Sequence, residues 1–179
     1  MNDLLAFGLL GFTSFFTLIN PLGAMPIFMT MTAELNPAER IKTARKASIV
    51  AFLTILFFAF TGQLLFRFFG ISVNSLRVVG GVIFFMMGMD MLQARLTRVK
   101  IAENEVKKYV NDISITPLAI PMICGPGAIT NAIILMQDAT TIDKKMVLVF
   151  SIFLVMLLTF LILYSSSKII KALGETGNN

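Results

Sequence analysis

Two short stretches hold the residues best placed to do chemistry. Asn20-Pro21-Leu22-Gly23 lies inside an apolar run spanning residues 4–32, and Cys124-Gly125-Pro126-Gly127 sits in a similar setting about a hundred residues later. Proline lacks a backbone N–H, and its ring clashes with the carbonyl one turn back. The residue before a proline is pushed out of the helical region, and glycine accepts backbone angles that other residues avoid. A helix meeting either stretch should break there. In a bilayer an unpaired backbone group costs several kcal/mol, so a break is tolerated only inside protein or beside a cavity. Each break is therefore a candidate site at which freed N–H and C=O groups hold a small polar ligand near the midplane.

The polar side chains beside the breaks extend that chemistry. Asn20 can both donate and accept. Thr17 lies one turn before the first break, and Thr130 and Asn131 lie in the first turn after the second. Asp90 is the one acid well inside an apolar run. A carboxylate there costs on the order of 2.5–3.5 kcal/mol, so it should face a partner or a cavity. It is read either as a proton- or cation-coupling group or as an interfacial acid near Arg95.

The elements that must carry these residues are membrane helices. The chain has 179 residues, 56 % hydrophobic and only 14 % charged, with mean hydropathy +0.84. Several apolar runs approach the roughly 20 residues needed to span a bilayer. The run 4–32 would measure about 43 Å as one straight helix, well over the roughly 30 Å of hydrocarbon. Asp3, with no Lys or Arg ahead of that run, does not fit a cleaved signal, so the first helix should be retained.

Chemistry is limited by what is missing. There is no His, no Trp and a single Cys, Cys124. That removes the usual proton shuttle, an intrachain disulfide and a cysteine-based zinc cage. No metal, cofactor or catalytic residue is expected, and the chain is read as a non-enzyme. The net charge of +5 does not call for nucleic acid, because the basic residues cluster in the loops between apolar runs.

Taken in order, the expected elements are a first span over 4–32 broken near Asn20, a polar segment 33–46, and a second span over 47–69. Within the polar segment Asn36, Pro37 and Glu39 read as a helix start, with Arg40, Lys42, Arg45 and Lys46 on a short surface helix. Gly70 begins a turn. A third span over 76–92 carries Gly80, Gly81 and Gly88 for close helix packing. A polar linker leads to a fourth element over 113–137, interrupted by Pro117, Pro121 and Gly125-Pro126-Gly127. A turn over 138–145 precedes a fifth span over 146–170 and a polar tail. The loops after the first and third elements, with the tail, hold Arg40, Lys42, Arg45, Lys46, Arg95, Arg98, Lys100, Lys107, Lys108, Lys168 and Lys171. The opposite side holds Arg67, Arg77, Lys144 and Lys145. This bias puts the N-terminus outside and the basic loops in the cytoplasm.

The two breaks occupy matching places in an internal repeat. Each is followed by about eight apolar residues, a polar segment and a long apolar span. Three elements separate the breaks, so the halves should enter the membrane from opposite faces. The expected fold class is all-α: a polytopic helical membrane protein with an inverted-topology 3+3 repeat and broken first and fourth helices. Residues 1–95 form the first three-helix repeat, 96–112 a cytoplasmic linker, and 113–179 a second repeat with two spans. The sixth helix of such a plan is expected to be missing from this chain.

At these residues the sequence resembles the MarC family of bacterial and archaeal inner-membrane proteins, which includes a transporter of small neutral amino acids. The resemblance covers essentially the whole chain. It is carried by Asn20-Pro21-Leu22-Gly23 with Pro26, by Gly80-Gly81 leading to Met89-Asp90-Met91-Leu92, and most specifically by Pro117-Leu118-Ala119-Ile120-Pro121 running into Gly125-Pro126-Gly127-Ala128-Ile129. It implies a multi-pass protein of the cell inner membrane that exports or exchanges alanine, glycine, serine or threonine by alternating access. The implied substrate-binding set is Thr17, Asn20, Pro21, Gly23, Gly125, Pro126, Gly127, Thr130 and Asn131, with Asp90 as the coupling candidate. The implied partners are the amino acid, the lipid bilayer, a coupling proton or sodium ion, and a homo-oligomeric copy. The competing readings are a non-transporting membrane scaffold and a membrane-embedded enzyme, the latter disfavoured by scattered carboxylates and the lack of His.

Overall fold

The structure is a computed structural model that describes residues 2–33, 35–70, 72, 74–75, 78–79, 81–82, 85–86, 89, 114 and 118–175. The expected linker 96–112, Gly80, Gly88, Asp90, Pro117 and most of the expected third span lie outside the described residues. The described elements are α1 (Asn2–Ile19), α2 (Pro21–Met31), α3 (Pro37–Phe69), a wide π-type turn (Leu118–Ile123), α4 (Pro126–Asp138) and α5 (Ile142–Glu175). The molecule is an all-α membrane protein. Three stretches among the described residues are long and apolar enough to cross a bilayer: Asp3–Met31, Pro37–Phe69 and Ile142–Ser166.

The caps explain where the helices start and stop. Asn36 accepts from the Glu39 N–H at 2.9 Å, and the Glu39 carboxylate accepts from the Asn36 N–H at 3.2 Å. This reciprocal box starts α3 as the sequence predicts. Gly70 ends it with φ 66, a left-handed position that suits glycine. The short surface helix expected to lead into the second span is one continuous helix with it. α3 runs unbroken through Arg40 to Lys46 into the apolar span, because nothing between Pro37 and Gly62 interrupts helical hydrogen bonding. The turn before α5 is also shorter than expected, since α5 starts at Ile142.

Side-chain pairs fix how the rods lie. Lys144 Nζ meets Asp3 Oδ2 at 2.9 Å, Ser151 Oγ donates to the Gly8 carbonyl at 3.2 Å, and Ser166 Oγ lies 3.1 Å from Met29 Sδ. The combined α1–α2 rod therefore runs parallel to α5 from end to end. The break at Asn20 interrupts this rod without turning it back. α3 runs the other way: Phe52 packs edge-on against Phe153, while Arg40 and Ile41 line a cleft with Leu163 and Tyr164.

Small residues bring the rods together. Ala44, Ala47, Ala51, Ile55 and Ala59 lie fully buried along one stripe of α3, spaced three or four residues apart as one helix face requires. Farther along, a Cβ on Gly62 would fall 2.5 Å from Ile133 Cγ1, so α3 and α4 approach only because residue 62 has no side chain. On α1, a Cβ on Gly8 would fall 2.9 Å from Val147 Cγ1. Gly81, one of the three glycines expected to pack helices, has no atom of the described residues within 4 Å of the place its Cβ would take. The opposite faces carry exposed Leu5, Leu9, Leu53, Phe57, Phe60, Leu64 and Phe68, a continuous apolar surface suited to lipid.

Candidate binding site at two helix breaks

The first break is built by Asn20 and Gly23 together. Asn20 takes φ 44, ψ 65, a left-handed conformation that asparagine tolerates better than most residues. Its Oδ1 accepts from the Gly23 N–H at 3.1 Å. A Cβ on residue 23 would run into the Asn20 side-chain amide, so the cap demands glycine there. Two backbone bonds meet at the break residue, Asn20 N–H to Phe16 O and Ala24 N–H to Asn20 O, both 3.0 Å. Pro21 has no N–H to offer Thr17, and the Gly23 N–H has gone to the Asn20 side chain. The Thr17, Leu18 and Ile19 carbonyls thus have no helical donor, and the Leu22 N–H has no acceptor, among the described residues.

The second break is wider. Ile120 is extended, φ −129 and ψ 120, within Leu118–Ile123, and the Cys124 N–H reaches back five residues to Ala119 O at 2.8 Å. Gly125 follows as the N-cap of α4, with Pro126 at its first position. A Cβ on Gly125 would sit 3.1 Å from the Pro121 carbonyl oxygen, a close approach that glycine permits. Unlike α2, α4 has no side-chain cap. The N–H groups of Gly127 and Ala128, both buried, find no protein acceptor among the described residues. The two breaks differ in their caps: at the first, the Asn20 side chain takes one N–H at the start of α2, while at the second no side chain caps the N–H donors at the positive end of the α4 dipole.

Depth follows from helix rise. Asn20 lies 17 residues from Asp3 and nine from Met29, about 25 Å and about 13 Å along the rod. The first break is thus off centre rather than at the midplane, because α2 is shorter than α1. Gly125 lies 13 residues from Asp138, about 20 Å from the end shared with Asp3. Both breaks are deep, and they differ in depth by about one helical turn.

Between them runs one polar contact. Asn131 Nδ2 donates to Ser14 Oγ at 3.0 Å, and the Ser14 hydroxyl donates to the Gly11 carbonyl at 3.1 Å. Because the hydroxyl proton is committed to Gly11, the amide must present its NH2 to Ser14. Thr130 and Asn131 are buried on α4, Pro21 is buried, and Asn20, Gly23 and Gly125 are half-buried. Thr17 and Pro126 are exposed. The structure joins Asn131 to α1 through Ser14, while Asn20 turns its side chain onto its own helix. Two cavities, a groove of about 410 Å³ lined by Phe52, Phe60, Met146 and Phe153 and a cleft of about 270 Å³ beside Arg40, include none of the expected site residues. Ser14 and Gly62 were not among those residues. Ser14 carried a signal, a hydroxyl deep in an apolar run; Gly62 carried none beyond its small size.

The family model described as MarC family integral membrane protein matches residues 5–179. This chain belongs to the MarC family. It is 40 % identical over 166 residues to a UPF0056 membrane protein of Pyrococcus horikoshii, covering 93 % of this chain and 80 % of the relative. It is 37 % identical over 171 residues to the UPF0056 membrane protein YvbG of Bacillus subtilis, covering 94 % and 81 %. A Methanocaldococcus jannaschii UPF0056 membrane protein is 37 % identical over 179 residues, covering 99 % of this chain and 78 % of its own length. No solved structure gives a significant match. In this MarC protein the family match takes in both breaks and the Ser14–Asn131 contact.

Proposed function

We propose that this MarC-family chain is a secondary transporter of small neutral amino acids such as alanine, glycine, serine and threonine. It exports or exchanges them by alternating access around the two broken helices. The observation that carries the reading is the buried, uncapped start of α4. Two N–H donors at a helix N-terminus suit a carboxylate, and the freed Thr17 and Ile19 carbonyls suit an ammonium. Together they offer both ends of a zwitterion a partner without any charged side chain. That fits a substrate whose own charges cancel. Small size follows from the tight packing of α4 against Gly62.

The antiparallel course of α3 and α5, which hold equivalent places after the two breaks, supports an inverted repeat of the kind transporters use. In this reading the protein lies in the cell inner membrane, with Asp3 and Lys144 outside and the α2–α3 turn in the cytoplasm. Asp90 is the coupling candidate for a proton or sodium ion, a second copy of the chain is a candidate partner, and the protein performs no catalysis. A scaffold role would use the same glycine packing at Gly8 and Gly62, but it would leave the buried Gly127 and Ala128 donors without a purpose.

Amino-acid counterflow in proteoliposomes tests this. Vesicles loaded with unlabelled alanine should take up labelled alanine, with serine and glycine competing and lysine not. Gly127→Leu should insert and fold yet lose uptake. Full uptake by that variant would overturn the broken-helix site, and no uptake by the parent chain would overturn the amino-acid assignment.

A further inference from the structure

The cleft beside Arg40 lies away from both breaks. Its walls are Phe28 of α2, Pro37 and Ile41 of α3, and Leu163 and Tyr164 of α5, with Ser165 and Ser166 alongside. Phe28 and Leu163 are fully buried, while the Tyr164 ring is half exposed. The Ser166–Met29 contact closes one side.

Arg40 is held rigidly at this cleft. Its Nε–H is shared between the Thr32 carbonyl at 2.9 Å and the Leu35 carbonyl at 3.1 Å, and Nη2 donates to the Ala33 carbonyl at 2.8 Å. A guanidinium has five N–H donors. These bonds use two, and among the described residues the other three have no acceptor, on a plane fixed against the end of α2. The one acid on this first turn, Glu39, is engaged with the Asn36 N–H.

Helix rise puts the cleft at the membrane interface. Arg40 lies seven residues before the apolar span of α3 begins at Ala47, about 10 Å outside it. Tyr164 lies 22 residues along α5 from Ile142, about 33 Å and so one bilayer thickness away. Tyrosine commonly sits at that level. Lys42 and Arg45 are exposed nearby. The cleft thus combines a fixed cation at headgroup depth with apolar walls reaching toward the hydrocarbon.

We propose that this cleft binds an anionic phospholipid, with its phosphate on the free N–H groups of Arg40 and the start of an acyl chain against Phe28, Ile41 and Leu163. Charge and shape both select this occupant. Basic pockets between membrane helices at this depth match anionic headgroups, and a free anion would leave the apolar walls without a partner.

Native mass spectrometry of the purified full chain, offered phosphatidylglycerol or phosphatidylcholine with matched acyl chains, tests the site. One phosphatidylglycerol should be retained per chain, with a preference of roughly fivefold, the factor expected for one basic residue at an anionic surface. Arg40→Gln should abolish the preference. Because Arg40 also fastens the α2–α3 turn, Ser165→Phe serves as the second variant. It fills the cleft, leaves the arginine in place, and should lose the retained lipid while Cys124 stays protected from thiol reagents. The paired change Lys42→Gln with Arg45→Gln should keep most of the preference. Equal retention of the two lipids, a preference that survives Ser165→Phe, or a loss in the Lys42/Arg45 variant equal to that of Arg40→Gln would each overturn the proposal. So would inorganic phosphate binding at the same stoichiometry and with the same Arg40 dependence, which would make this an ion site.

Discussion

Asn131 and Ser14, 117 residues apart in the chain, are joined side chain to side chain at 3.0 Å. This bond ties the helix that follows the second break to the helix that precedes the first. It lies at a depth where water is scarce, so the Asn131 amide depends on Ser14 for a partner, while the Ser14 hydroxyl also has the Gly11 carbonyl. Bonds of this kind between membrane helices contribute about 0.6 kcal/mol on average and up to about 1.7 kcal/mol. Ser14→Ala and Asn131→Ala should each lower stability by about 1 kcal/mol, and the double variant should fall short of their sum by about the bond's own worth. Because the chain has no Trp, the convenient reporter is Cys124, buried at 1 % exposure, whose reaction with a fluorogenic maleimide follows unfolding. Strict additivity would show that the contact carries no coupling.

At the first break, the glycine and the asparagine should behave as one unit. Gly23→Ala places a methyl group against the Asn20 amide and breaks the cap, and should lower stability by about 1–2 kcal/mol. Asn20→Gly keeps the left-handed backbone and removes the obstructing side chain. The combination of Asn20→Gly with Gly23→Ala should therefore be more stable than Gly23→Ala alone. A double variant worse than the single one would show that the clash is not the reason for Gly23.

How much of this was legible in the sequence differs from residue to residue. The breaks at Asn20-Pro21 and Gly125-Pro126, the Asn36–Glu39 box and the end of α3 at Gly70 were all readable, because each follows from the backbone chemistry of a few adjacent residues. The surface helix was expected to lead into the second span; that the two are one unbroken α3 follows because the change from basic to apolar composition near residue 47 breaks no hydrogen bond. The difference between the breaks was not readable. It depends on whether a side chain folds back to cap the new helix, and Asn20 does so while Gly125 has nothing to fold. The Ser14–Asn131 and Gly62–Ile133 contacts depend on how distant helices cross, which no local pattern encodes.

The Gly62–Ile133 contact makes its own prediction. Gly62→Ala puts a methyl group 2.5 Å from Ile133 Cγ1, and overpacking of this kind costs about 1–3 kcal/mol. Exchanging volume across the contact, with Ile133→Ala added, should recover part of that loss in the thiol-protection assay. It should also restore any transport that Gly62→Ala removes by shifting α4. No recovery would mean that Ile133 is not what residue 62 meets.

The Asp3–Lys144 pair places the start of α1 and the start of α5 at one end of the molecule. Asp3 is 81 % exposed, and exposed ion pairs contribute about 0–1 kcal/mol, so Asp3→Asn should barely change stability. The pair's value is as a marker of topology. In a Cys124→Ala background, single cysteines introduced as Asp3→Cys and Lys144→Cys should react with an impermeant maleimide from the same side of intact cells. Lys42→Cys should react only after permeabilisation. Labelling of Asp3→Cys and Lys144→Cys from opposite sides would contradict the parallel course of α1 and α5. Labelling of both from within would keep the fold and reverse the orientation.

The unlike chemistry of the two breaks leads to a prediction about ligands rather than variants. If the Gly127 and Ala128 N–H groups take the carboxylate and the Thr17 and Ile19 carbonyls take the ammonium, each end of the substrate has a partner the other cannot use. Alaninamide keeps the ammonium and loses the carboxylate charge, and propionate does the reverse. Each leaves one set of backbone groups unsatisfied at membrane depth, a loss of about 1–3 kcal/mol and more where a charge is involved. Both should therefore compete with labelled alanine at least tenfold more weakly than alanine itself. The second break, whose α4 start no side chain caps, should depend more heavily on its ligand, so alaninamide should be the poorer competitor. Propionate weaker than alaninamide would move the main anchor to the first break. Equal competition by all three would show that neither break reads the charged ends of the amino acid.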